Sequence, residues 1–312
     1  MFLVSSPELI IAQCLAGVVG ILPALNLRPT SALDNCLTQI KNSLASFAKK
    51  DGGRVWQTAP FGVNLMVHPS NARLKDDLAV ITSHEVPVVV TSLSSPERVV
   101  PHIHAYGGMV FHDVASVKHA RRAVAAGADG LVLVCAGAGG HTGRLSPFAF
   151  VSEVRRFFDG PIAVSGCITD GGHLLVLQTM GANFGYVGTR FITSVEANAA
   201  DRYKQMIVAS AADDIISSTA VTGLTGNYLV KSFEALGIDA SKLERRETST
   251  FSLGMREDGT TAKAWRDVWS AGQGVGAISD IEPVEVIVAR FAEEYSTAVR
   301  NQISKLCDVS IS

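Results

Sequence analysis

Apolar residues along this chain follow two alternating rhythms. From residue 18 to residue 188, short β-branched runs alternate with stretches in which apolar positions return every three or four residues, separated by polar or glycine-rich turns. The runs VVGIL (18–22), FGVNLMV (61–67), PVVVTS (87–92), GMVFHDV (108–114), GLVLVCA (130–136), PIAVSGC (161–167) and FGYVGTR (184–190) predict seven strands. Between the fourth and fifth runs, SVKHARRAVAAGAD (116–129) puts Val117, Ala120 and Val124 on one stripe and Lys118, Arg121 and Arg122 on another. That pattern predicts an amphipathic helix closed by Gly127. Such alternation demands parallel strands, because each crossover returns the chain in the same direction. Uninterrupted apolar strands suit a sheet covered on both faces, either a closed barrel or an open doubly wound sheet.

Eight strands would close a barrel, and the start of the chain shows where the eighth belongs. SSPELIIAQCLAG (5–17) predicts a helix with Ser6 as N-cap, Pro7 in its first turn and Gly17 as its stop. A barrel helix follows a strand, yet only Met1 to Val4 precede this one. Either those four residues are the stub of a truncated first strand or that strand lies upstream of residue 1, and the second is the expectation. The expected fold is therefore an α/β TIM (β/α)8 barrel with its first strand missing or truncated at the N-terminus.

After the last run the rhythm changes. Residues 213–271 hold TGLTGNYLV (222–230), the charged run SKLERRETS (241–249) and two tryptophans, and are expected to form a small helical insertion, a lid domain. Residues 1–212 and 272–312 are assigned to the barrel, ending in the amphipathic helix EPVEVIVARFAEEYSTAVRNQI (282–303), with Val284, Val288, Phe291 and Tyr295 at helical spacing.

Composition narrows the class. In 312 residues, 47% apolar and 18% charged residues can bury a sizeable core. A net charge of −2 with interspersed signs offers no field for nucleic acid or an anionic membrane, so any anion is bound locally. Five widely spaced cysteines without CxxC or His/Cys ligand spacing argue for a reducing compartment and against a metal site. With neither a long apolar span nor a signal-peptide pattern, the expected location is cytoplasmic.

In a parallel barrel, function collects at the carboxyl ends of the strands. Three loops there are unusual: AGAGGHTG (136–143), VSGCITDGG (164–172) and YVGTRF (186–191). In the first, glycines let a flat ligand approach the backbone, with His141 among them. The second and third place glycine turns on the last two strands, the usual barrel phosphate site, although singly each could be an ordinary turn. His141 alone would read as a solvated loop residue; beside a phosphate site it reads as functional. Asn64, ending FGVNL, could bond a neighbouring loop or present an amide to a polar ring edge. His112 and Asp113 could line the same mouth, while His68, His84, His102, His104, His119 and His173 read as surface or packing residues. Cys167 lies at a helix start, but no base is near in sequence, so a backbone contact is the simpler reading. G-x-G-x-x-G and P-loop motifs are absent, which weighs against Rossmann or kinase-like folds.

FGVNL, AGGHTG, SGCITDG, VGTRF and the late SAGQGVGAI (270–278) together resemble the nitronate monooxygenase family, formerly called 2-nitropropane dioxygenases. The resemblance extends over roughly the whole chain. It implies a barrel that binds flavin mononucleotide (FMN), with a second domain over its mouth. Carried over by position, His141 is the catalytic histidine, Met1, Asn64 and Gly140 meet the flavin, and Gly166, Cys167, Gly188 and Thr189 grip its phosphate. Members usually show glycine where Cys167 stands, so its contact is expected through the main chain. Met1 matches the end of the family's first strand. The implied reaction is oxidation of alkyl nitronates by O2 to a carbonyl compound and nitrite, with His141 as base or hydrogen-bond donor. The same GGHTG loop also resembles flavin enoyl-thioester reductases; an NAD(P)H:quinone reductase and a lapsed flavin-binding protein are further alternatives. Partners implied are a small-molecule substrate and O2, NAD(P)H in the reductase readings, with room for a homodimer.

Overall fold

The computed structural model describes residues 1–50, 58–243 and 265–309. After helix α1 (Pro7–Leu15), the chain runs through β1 (Gly20–Pro23), α2 (Thr30–Lys50), β2 (Phe61–Met66), α3 (Leu74–Ser83) and β3 (Val88–Ser92). It continues through α4 (Val100–His104), β4 (Met109–Val114), α5 (Val117–Ala125), β5 (Gly130–Val134) and the two-residue β6 (Gly140–His141). Next come α6 (Pro147–Val154), β7 (Ile162–Ser165), α7 (Gly171–Thr179), β8 (Phe184–Gly185), α8 (Thr189–Ile192) and α9 (Asp201–Val208). All seven predicted strands form one parallel sheet, in the order β1-β2-β3-β4-β5-β7-β8. The sheet is curled, with helices on its outer face, as a (β/α)8 barrel requires.

Local chemistry sets these boundaries. The Ser6 hydroxyl accepts from Leu9 N at 3.3 Å to open α1, and Gly17 follows it at φ +91°. Ser116 caps α5 through His119 N at 3.2 Å, and Gly127 closes it at φ +88°. The outer faces of the strands meet the helices in two apolar clusters, one around Ile40, Leu65 and Ile103 and one around Leu131, Phe150 and Ile162. Inside the curl a smaller cluster joins Val90, Val132 and Ala163 to Phe111 and Tyr186.

Met1 to Val4 do not form a strand. They make a turn, with Leu3 at φ +61°, held by Asn26, whose amide donates to the carbonyls of Met1 (3.1 Å) and Ser5 (2.9 Å). Among the described residues, β1 and β8 remain the two edges of the sheet.

The described residues of the segment expected as a helical insertion include the short helix α10 (Val230–Glu234), preceded by two strands, β9 (Ile215–Ser218) and β10 (Gly226–Leu229). β10 pairs antiparallel with β9 and with β6, which joins this segment to the loop bearing His141. Most of the charged run SKLERRETS lies outside the described residues. Trp269 stacks on Tyr203 of α9, with centroids 4.9 Å apart, where the chain returns to the barrel. The last helix, α11 (Val284–Val309), packs on α7, where Glu294 accepts from Gly171 N at 2.9 Å. No described helix is long and apolar enough to cross a membrane.

Candidate active site

The carboxyl ends of the strands open into a cavity of about 1370 Å³. Every residue singled out in the sequence lines it: Met1, Asn64, Gly140 and His141, and also Gly166, Cys167, Gly188 and Thr189. Strand register explains the convergence. Asn64 pairs with Val90, and Val90 belongs to the cluster inside the curl, so Asn64 faces the barrel axis. Asp113 lies two residues beyond Phe111 and opposite Val132, both of that cluster, so it faces the same way. His112 also lines the cavity, with its Nδ1 2.8 Å from the Thr91 hydroxyl.

His141 is held by the inserted segment. Its Nε2 lies 3.0 Å from Thr222 Oγ1, and Trp265 meets the ring edge-on with centroids 5.1 Å apart. The single Thr222 proton can go to His141 Nε2 or to the Leu224 carbonyl at 3.2 Å, so this hydroxyl can meet the ring as donor or as acceptor. Burial pushes the His141 imidazole down to about 4, and the ring is neutral at neutral pH. Neither Thr222 nor Trp265 stands out in the sequence. Thr222 lies 81 residues from His141, and only the glycines of TGLTG hint at a tight loop there.

The glycine-rich loops do more than make room. A Cβ on Gly143 would lie 1.9 Å from the Val134 carbonyl oxygen, and one on Gly139 would meet Gly272 N at 2.8 Å and Thr189 Oγ1 at 3.1 Å. Loops 137–143 and 270–274 therefore interlock backbone to backbone, and Thr189 Oγ1 accepts from Gly272 N at 2.9 Å. Gly140 and Gly188 differ: a Cβ at either would meet nothing closer than 3.8 Å, so they border open space. Cys167 adopts φ +57°, a conformation that favours glycine, with its side chain in the cavity wall. Burial raises its thiol pKa, opposed by a Gly274 backbone hydrogen bond, so Cys167 is not poised as a thiolate. Arg190 of the GTRF motif is buried and structural, pairing with Asp280 and with Glu282 (3.4 Å).

Asp113 is the one carboxylate among the described lining residues. Its Oδ1 is buried without a hydrogen-bond partner. Burial pushes its carboxyl up to about 7, with the Met1 amine acting in the opposite direction. At the rim, His119, Arg122 and Arg144 line the cavity, and neither arginine has an ion-pair partner among the described residues. His119, read from sequence as a surface residue, thus also borders the site.

A curled parallel sheet with glycine loops and a histidine converging on one mouth defines an α/β-barrel enzyme. The family model for nitronate monooxygenase matches residues 62–294, and the chain belongs to that family of flavin-dependent oxidoreductases. Among curated relatives, an octahydro-1H-indene-4-carboxyl-CoA dehydrogenase of Rhodococcus jostii RHA1 is 27% identical over 226 residues, covering 72% of this chain and 60% of that protein. A nitronate monooxygenase of Paraburkholderia phytofirmans is 26% identical over 172 residues, covering 52% of this chain and 47% of the relative. The chain thus spans less than two thirds of these relatives' lengths. Among solved structures, FabK from Thermotoga maritima superposes with a TM-score of 0.76 at 24% identity, covering 98% of this chain and 93% of that one, a likeness of fold.

Proposed function

We propose that this protein binds FMN in the cavity and oxidises alkyl nitronates with O2 to a carbonyl compound and nitrite. The observation that supports it most is the convergence of Asn64, His141 and the glycine loops of β7 and β8 on one cavity within a chain of this family. The residues present fit the flavin: Gly140 and Gly188 border open space, and the volume exceeds what a small nitronate alone needs. Gly166, Cys167, Gly188 and Thr189 would hold the phosphate, Cys167 through its main chain and Thr189 with the hydroxyl proton left after its oxygen accepts from Gly272. Asn64 would meet the polar edge of the ring, with Met1 against the flavin and residues 213–271 as the lid. When bound, the flavin accepts the electrons that leave the substrate.

His141 orients the substrate. A neutral imidazole tied to Thr222 gives a fixed hydrogen-bonding group without the charge of an imidazolium. Trp265 covers its ring and limits water there. His141→Ala is expected to keep the flavin and to lower nitronate turnover by at least about 100-fold, read by oxygen uptake and flavin absorbance; unchanged turnover would reject the role.

A second reading has its own support. Arg122 and Arg144 at the rim, without ion-pair partners among the described residues, suit with Ser94, Ser95 and Ser116 the phosphates of a coenzyme A thioester, the substrate type in the name of the Rhodococcus jostii relative.

A further inference from the structure

Phe2 and Trp265 line the cavity, yet among the described residues neither belongs to the packed apolar clusters of the fold. They meet edge to face with ring centroids 5.8 Å apart, and Trp265 meets His141 in the same way at 5.1 Å. Phe2 stands in the N-terminal turn, His141 in β6, and Trp265 where the chain returns from the inserted segment. Three remote parts of the chain thus join in one aromatic row at the mouth. Both Phe2 and Trp265 are only half-buried and border open space. Trp265 also stands at φ +60°, a left-handed conformation that bulky residues rarely take, with its N–H donating to the Val268 carbonyl at 2.9 Å. Glycine would occupy that position without strain, so the fold bears a cost to set an indole ring beside His141. Strain of this kind persists only where the surroundings enforce it, and it gathers at ligand sites. Leu224, whose carbonyl lies 3.2 Å from the Thr222 hydroxyl behind His141, adds an apolar side chain to the lining.

We infer that Phe2 and Trp265 are specificity-determining residues, forming the wall on which the apolar substituent of the substrate packs while His141 holds the nitronate group. Trp265 touches His141 and Phe2 continues the row, so a chain anchored at His141 runs along both rings. A long alkyl substituent covers both rings and withdraws its own surface from water, whereas a methyl group reaches too little of either. The wall therefore selects nitronates with extended, uncharged substituents, and the gain grows with the apolar area covered, about fourfold per buried methylene. The inference rests on the nitronate reading for the reacting group, but the wall acts on any planar anion with an apolar tail.

The test uses two series on the flavin-loaded protein. In the first, kcat/KM is measured for the nitronates of nitroethane and 1-nitropentane. In the second, calorimetry gives Kd for propionate and hexanoate, unreactive anions that match those nitronates in shape and charge. The members of each pair differ by three methylenes, so the unaltered protein should favour the longer one by about 50-fold in both series. Trp265→Ala is expected to cut that ratio to below about tenfold, whereas Trp265→Phe, which keeps a ring, should retain most of it. A merely structural role would weaken both members alike and leave the ratio in place. Phe2→Ala should lower the ratio in the same sense, and it keeps the test decisive if the Trp265 variants fail to fold. A ratio near one in the unaltered protein, or a ratio that neither alanine variant lowers, would overturn the wall. If the carboxylates show the gradient while no nitronate is oxidised, the wall stands and the nitronate reading fails. Oxidation of both nitronates without a gradient in either series would do the reverse.

Discussion

Thr222 has one hydroxyl proton and two claimants for it, the Leu224 carbonyl and His141 Nε2. Replacing it with valine preserves shape and removes the partner, leaving a buried ring nitrogen without its hydrogen bond. Thr222→Val should lower kcat roughly tenfold, about 1.4 kcal/mol in the barrier, with flavin content unchanged, whereas Thr222→Ser should keep most of the rate. Steady-state kinetics on both variants checks this, and an undiminished Thr222→Val would show that the bond does not position the ring. At this scale the sequence was informative where glycines and strand ends coincide, as at Asn64, His141 and Gly188. It was silent on Thr222 and Trp265, whose contacts with His141 come from chain packing and leave no periodic mark. The shift of His141 to about 4 was equally hidden, because burial belongs to the folded cavity and not to the residue.

The strands and helices of the barrel were legible because each carries its own signal: β-branched runs for β2 to β5, and a capping serine with a closing glycine for α1 and α5. The inserted segment was not. β6 has two residues and β10 four, too short for a period to show, and they are strands only because they pair across the loop of His141. The glycines of AGAGGHTG were legible as unusual but not in role, since clearance for a ligand and close passage of backbone give the same letters. Gly143→Ala separates the two roles. Its new Cβ would fall 1.9 Å from the Val134 carbonyl oxygen, so the loop must move, with an expected loss of about 2 kcal/mol in unfolding free energy. Denaturant unfolding measures it, and an unchanged midpoint would mean that the loop is not tied to β5.

The whole molecule places one cavity at the open end of a curled sheet and fills its wall from every loop on that side. The overall charge of −2 did not announce this, because the cations that matter, Arg122 and Arg144 at the rim, are local and are offset elsewhere on the surface. The proposed function requires that the cavity be a flavin site whose substrate gives up electrons directly. The most direct measurement is therefore anaerobic: flavin-loaded protein is mixed with an alkyl nitronate, without nicotinamide, and flavin absorbance is followed. Loss of the oxidised flavin bands on adding nitronate alone, with recovery on admitting oxygen, is the predicted result. Bands that persist with nitronate and disappear only on adding NADH or NADPH would contradict it and assign the cavity to a reductase.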